Sequence, residues 1–214
     1  MKKTIYLLLL VVLVLPLTVS AEIVGHTSDG AYIHAYAAPN GQTIYFTALE
    51  ANPSVRAQDV NFDGQDDLVV MTAMGASNFF CEFFVYDGGR YVQAEHNGLG
   101  YGLCNVDLYP EQGIVGSCAN NGWAGALHDD CLFRWEGTNL RLIRRASSEE
   151  LTQVEFGDDA YTVTTYRNRL HIIISDYSSG NDEEIVLWDT VVELDDMDPT
   201  MFEQEQATLW QGIR

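Results

Sequence analysis

Phe84-Val85-Tyr86-Asp87-Gly88-Gly89-Arg90-Tyr91-Val92 is the stretch that decides the fold. Apolar and aromatic residues flank an acidic turn with two glycines, which supply the left-handed backbone a tight hairpin needs. The same form returns 49 residues later as Phe133-Arg134-Trp135-Glu136-Gly137-Thr138-Asn139-Leu140-Arg141. Upstream, Tyr32, His34 and Tyr36 alternate with Ala31, Ile33 and Ala35, and Pro39-Asn40-Gly41 turns the chain into 43–49. Further strands are predicted at 67–73, 79–86, 91–95, 104–109, 113–118, 130–135, 139–143, 152–156, 161–166, 169–175 and 184–194. Only the end departs: Asp198 can cap, Pro199 suits a first helical position, and 203–211 tolerate helix until Gly212. The expectation is an all-β fold of antiparallel sheets built from hairpins, propeller-like or sandwich-like, with a short C-terminal helix.

The 214 residues hold 31 Asp and Glu against 11 Lys and Arg, a net charge of −20, which argues against a nucleic-acid binder. Met1-Lys2-Lys3, an apolar run from Ile5 to Leu15, Pro16 and the small-residue end Val19-Ser20-Ala21 read as a secretory signal peptide over 1–21. A retained anchor is the rival reading, which Pro16 and the cleavage site disfavour. The mature part, 22–214, is then one all-β domain with no stable membrane insertion: a calcium-loop and hairpin core over 55–146, then acidic strands and the helix over 147–214. Losing Lys2 and Lys3 leaves 9 Arg and 31 acids, so the formal charge becomes −22. The summed field of such a surface attracts cationic partners. The chain is expected in the periplasm, the cell envelope or the extracellular space.

Cys81, Cys104, Cys118 and Cys131 are an even set in an exported chain, which predicts two disulfides over thiol chemistry. Three pairings are open; Cys104 to Cys118, about the turn at 110–113, and Cys81 to Cys131 is the preferred one. No Cys-x-x-Cys pair suggests zinc.

One motif carries chemistry. Asp59-Val60-Asn61-Phe62-Asp63-Gly64-Gln65-Asp66-Asp67-Leu68 puts side-chain oxygens at loop positions 1, 3, 5 and 9, with glycine at 6 and the Gln65 carbonyl at 7. Alternate residues of a tight loop can turn inward together, and a hard cation needs six to eight oxygens, so Asp59, Asn61, Asp63, Gln65 and Asp67 are candidate Ca²⁺ ligands. Position 12 is Val70 where an EF-hand has a bidentate Glu, which points to weak affinity, about 10⁻⁴–10⁻³ M.

The loop running into a strand resembles the calcium loop of FG-GAP-type propeller blades. Together with Phe83-Phe84-Val85-Tyr86-Asp87, the 104–118 hairpin and Phe133-Arg134-Trp135-Glu136-Gly137, it is similar to exported bacterial proteins related to periplasmic lysozyme inhibitors and immunity proteins. The resemblance spans about 55–146. It implies a calcium-stabilised β fold that blocks a muramidase cleft with a protruding loop, and an acidic surface suits a basic, lysozyme-like target. Related inhibitors carry a Ser-Gly-x-x-Tyr loop, whereas Ser179-Gly180-Asn181-Asp182-Glu183 has Glu in the Tyr place, so that contact does not carry over.

Other motifs weigh less. Gln112 to Cys118 has the spacing of a papain-like oxyanion Gln and nucleophile, yet Asn120-Asn121-Gly122 follows where that family begins a helix. Gly98-Leu99-Gly100-Tyr101-Gly102 lacks the strand-to-helix context of a phosphate loop. His26, His34, His96, His128 and His171 are dispersed without a close metal pair, and Asp129-Asp130 reads as a turn. Asn120 to His128 forms a small-residue loop in which Trp123 and His128 are candidate partner-binding residues. Arg134, Arg141, Arg144 and Arg145 are expected to pair with nearby acids. The reading is a non-enzymatic calcium-binding protein that engages a protein partner, a lysozyme-like peptidoglycan hydrolase, with a calcium-dependent adhesion or glycan-binding module as the alternative.

Overall fold

The computed structural model describes residues 20–97, 102–122, 126–156, 161–179, 183–193 and 199–213, with backbone alone over 152–156, 161–168 and at 199. The expected signal peptide, except its last two residues, lies outside them. Three antiparallel sheets follow one another along the chain. The first holds β1 (Glu22–His26), β2 (Tyr32–Ala37) and β3 (Thr43–Ala48). The central sheet orders β4 (Val55–Gln58), β5 (Asp67–Met74), β6 (Phe79–Asp87) and β7 (Arg90–Gln93), with β8 (Leu103–Cys104) pairing β6. The large sheet runs β9 (Asp107–Tyr109), β10 (Ile114–Gly122), β11 (Leu127–Glu136), β12 (Asn139–Phe156), β13 (Tyr161–Asp176) and β14 (Ile185–Glu193). The helix α1 (Pro199–Leu209) closes the chain.

Both quoted hairpins form. Asp87 pairs with Arg90 around Gly88 and Gly89, whose φ angles of 55° and 93° suit a two-residue turn, and Glu136 pairs with Asn139 around Gly137. In β3 the alternation buries Ile44, Phe46 and Ala48 and exposes Thr43, Tyr45 and Thr47. The strands β5 and β6 instead carry unbroken buried runs, Leu68-Val69-Val70 and Phe83-Phe84-Val85, because both faces are covered. Leu68, Val70 and Phe84 meet Ile44 and Phe46 of the first sheet. Val69, Phe83 and Val85 meet Val115, Phe133, Leu140 and Leu142 of the large sheet. The intervening residues Ile114, Leu132 and Ile143 point the other way, towards Leu209 of α1. The stacking is therefore first sheet, central sheet, large sheet, helix. That is sandwich-like layering of antiparallel sheets.

The structure adds β1 and β4, short strands without clear alternation, and joins the predicted 139–143 and 152–156 into β12 and 161–166 and 169–175 into β13. The register breaks where Glu150 pairs with Leu170 and Leu151 with Tyr166, which is where the predicted 161–166 and 169–175 divide. Beyond that break 151–156 pairs with 161–166, and among the described residues neither β11 nor β14 continues alongside. Asp129 and Asp130 are not a turn: both lie within β11, paired to Ser147 and Ala146.

Candidate functional site: the Asp59–Asp67 loop and the helix seat

The loop connects β4 to β5, whose register pairs Gln58 with Asp67. Alternation sorts its residues. Val60, fully buried, enters the core between the central and large sheets and Phe62 packs against that core, while Asp63 is exposed. Trp135 of β11 donates from Nε1 to the Val60 carbonyl at 2.7 Å, tying the loop to the large sheet. Phe62 sits at φ 65° and Gly64 at φ 84°, so the chain turns through two left-handed residues.

The outward oxygens gather on the loop itself. The Asp63 amide donates to Asp59 Oδ1 at 3.2 Å and to Asn61 Oδ1 at 3.1 Å; the Gly64 amide donates to Asp59 Oδ2 at 2.9 Å. Asp63 in turn accepts from the Gln65 amide at 2.8 Å and from Asn61 Nδ2 at 3.2 Å, while the Gln65 side chain reaches Asp63 Oδ2 at 3.3 Å. Asp67 differs: it is completely buried, with Oδ1 accepting from Tyr86 at 2.7 Å and Oδ2 from Val60 at 3.0 Å and Asn61 at 3.3 Å. Burial raises its pKa above the usual carboxylate value, against the lowering effect of those three amides. Asp67 is thus the clasp that closes the loop, and Asp59, Asn61 and Asp63 are its accessible donors. An all-oxygen set with several carboxylates fits a hard cation such as calcium.

All four cysteines are free thiols, which corrects the expected pairing of Cys81 with Cys131 and Cys104 with Cys118. Cys81 of β6 and Cys131 of β11 stand on facing sheets and pack as thiols into one shared core. Cys131 hydrogen-bonds Asp129 Oδ1 at 3.7 Å, and Cys104 is buried with its amide held by Ser117 Oγ at 2.9 Å. Burial pushes the Cys81 and Cys118 thiols up to about 12, with Asp130 adding to the rise at Cys118, and it raises Cys104 and Cys131 as well.

Of the two candidate recognition residues, Trp123 lies outside the described residues. His128 is not a surface anchor: it is 6% exposed and faces α1. Its Nε2 meets Glu205 Oε1 of the helix, and its Nδ1 lies 3.1 Å from Ser148 Oγ on β12. Asp130, two residues on along β11, accepts from Gln206 Nε2 at 3.1 Å. Further along the seat, Arg144 is 5% exposed. It donates to the carbonyls of Thr208 (3.0 Å), Leu209 (3.2 Å) and Gln211 (3.3 Å), where the C-terminal end of a helix attracts a cation. Asp176 pairs with it at 3.3 Å, and Arg145 forks onto Asp129 at 2.7 and 2.8 Å, both as acid partners expected for this arginine cluster. Sequence reasoning missed the helix seat because His128 and Glu205 are 77 residues apart; its one local trace is the His128-x-Asp130 spacing on a strand.

No family model matches the chain, and no curated protein matches it. Among solved structures it is similar to a Xanthomonas type IV secretion system related protein, with 13% identity over 77% of this chain and 84% of that one and a TM-score of 0.43. A likeness at that level assigns neither function nor partner. Among the described residues, no helix is long and apolar enough to cross a membrane.

Proposed function

We propose that the protein is an exported calcium-binding protein of the cell envelope that binds a protein partner, inhibiting or giving immunity to a lysozyme-like peptidoglycan hydrolase. The observation that carries the calcium part is the convergence of Asp59 and Asn61 oxygens on the Asp63 amide, with the Asp63 carboxylate accepting from the Gln65 amide and Asn61 Nδ2 beside them, at an exposed loop clasped by buried Asp67. A cation there would be held against the junction of the central and large sheets, where Val60 and Trp135 meet. The partner part follows from the resemblance of the 55–146 stretch and from the acidic surface, which favours a basic target.

The test has two arms. Melting is followed in about 10 mM calcium, some tenfold above the weak end of the 10⁻³ M range, and in chelator. The wild type is expected to melt higher in calcium and Asp63→Ala to show no difference; equal melting of the wild type in both buffers removes calcium from the reading. In the second arm the protein is mixed with a panel of purified basic lysozymes, and a one-to-one complex that slows peptidoglycan digestion and weakens with salt is expected. Binding to glycans with no hydrolase captured would replace the inhibitor by a glycan-binding module.

A further inference from the structure

We propose that His128, Asp130 and Glu205 form a binding site for one divalent transition metal of the zinc type, which clamps α1 onto the large sheet. Their ligand atoms already lie within 4.8 Å of one another. Two ligands of a tetrahedral zinc ion stand about 3.3–3.6 Å apart, so His128 Nε2 and Glu205 Oε1, now in direct contact, would part to admit the ion while the widest pair draws in by about 1 Å.

The elements converge for simple reasons. His128, Asp130 and Leu132 alternate on one face of β11, and Glu205 and Leu209 share one face of α1. Leu132 packs with Leu209, which brings the polar pair of the strand under Glu205. Glu205 is 2% exposed, and a carboxylate buried that far needs a counter-charge.

The hydrogen-bond pattern identifies what is needed. The Ser148 hydroxyl donates its only hydrogen to the Ala126 carbonyl at 2.5 Å, so His128 Nδ1 is the donor towards Ser148 Oγ. Nε2 is then the atom turned to Glu205, as an N–H in the imidazolium and as a lone pair, open to a cation, in the neutral ring. One proton on Nε2 would serve Glu205 but would leave Asp130 Oδ1, which is buried and accepts no hydrogen bond. A divalent cation serves all three. Cys118 sits opposite Asp130 in the ladder and couples to that carboxylate through its thiol, yet the geometry falls short of a hydrogen bond to Oδ1.

The supporting shell is that of a metal site. Ser148 fixes the imidazole through the nitrogen that does not ligate, and Gln206 orients Asp130 through Oδ2. One imidazole with two carboxylates suits zinc or a neighbouring first-row ion better than calcium. A cavity of about 230 Å³ lined by Asp130, Gln206 and Cys118 borders the cluster on its Asp130 side. Ser148, His128 and Glu205 also stand in the order of a hydrolytic triad, but the Ser148 hydrogen is committed to a backbone carbonyl and the hydroxyl is buried, so it has no proton to give the ring.

The test is calorimetric titration of the untagged protein, stripped with chelator, with zinc chloride, followed by cobalt substitution read in the visible spectrum. One equivalent of zinc is expected, with cobalt bands of a low-coordinate nitrogen and oxygen site. Asp130→Asn, at a partly exposed position, and His128→Gln should each weaken zinc at least about 10-fold, and melting curves of the stripped variants verify that they fold. Asp63→Ala should keep the full equivalent, which separates this site from the oxygen loop. Absence of zinc uptake by the wild type, or wild-type affinity in both Asp130→Asn and His128→Gln, overturns the proposal.

Discussion

The Asp59–Asp67 loop and the helix seat hold similar acidic chemistry by opposite means. The loop is nine consecutive residues whose exposed oxygens bond to its own amides, while the seat assembles His128 from β11, Ser148 from β12 and Glu205 from α1 in a buried site. Water screens the first and is excluded from the second. A charge deleted from the loop is replaced by solvent, whereas one deleted from the seat strands its partners in a poor dielectric.

Arg144→Leu should therefore be the most damaging single change. It leaves Asp176 without its cation and the carbonyls of Thr208, Leu209 and Gln211 without a donor, at a cost of about 3–5 kcal/mol. Urea unfolding reads this as a lower midpoint with an unchanged slope. A cost below about 1 kcal/mol, the range of exposed ion pairs, would erase the contrast between the two regions.

Asp67→Asn comes next, because Asp67 is the one buried member of the loop. An amide offers a single acceptor oxygen to three backbone N–H groups and turns its NH₂ onto one of them, at about 1–3 kcal/mol. Its pH dependence sharpens the point. With the folded pKa raised, the native state keeps a proton that the unfolded chain releases. The stability this adds is complete below the unfolded value of 3.8 and is lost as pH rises through the raised folded value. Asp67→Asn should flatten that acid-side slope in urea titrations run at successive pH values; an unaltered slope would assign it to other carboxylates.

The same contrast decides what was legible beforehand. Hairpins at Gly88-Gly89 and Gly137 were readable because turn residues act locally, and the Asp59–Asp67 loop because its spacing lies within one turn of chain. The layer order was not. Runs such as Leu68-Val69-Val70 signal burial on both faces, but only the fold shows that one face meets Phe46 and the other Phe133. The disulfide expectation rested on compartment and count, and the placement of Cys81 and Cys131 on facing sheets is a tertiary fact with no local signature. Glu205 looked like one more surface acid in a run of them, since nothing beside it in the chain marks it as 2% exposed.

Gly64→Ala tests the backbone of the loop apart from its charges. Nothing lies within 4 Å of the position a Cβ would take, so space is free and the cost comes only from φ 84°, about 1–2 kcal/mol for a left-handed L-residue. Thermal melting in chelator reads it. A neutral result would mean the loop relaxes out of that turn without calcium.

The smallest expected effect is the most discriminating. Asp63 is exposed, and its bonds run to the Gln65 amide, the Gln65 side chain and Asn61, all groups that water can satisfy equally well. Removing one carboxylate from a cluster that includes Asp59 also relieves repulsion. The two contributions oppose each other, so in chelator Asp63→Ala should match the wild type within about 0.5 kcal/mol. A clear stabilisation in chelator would show the loop to be strained by its own charge, the state expected of a site held open for a cation. A loss above about 1 kcal/mol would instead make Asp63 a structural residue like Asp67, and the loop would then resemble the helix seat in being built for the fold.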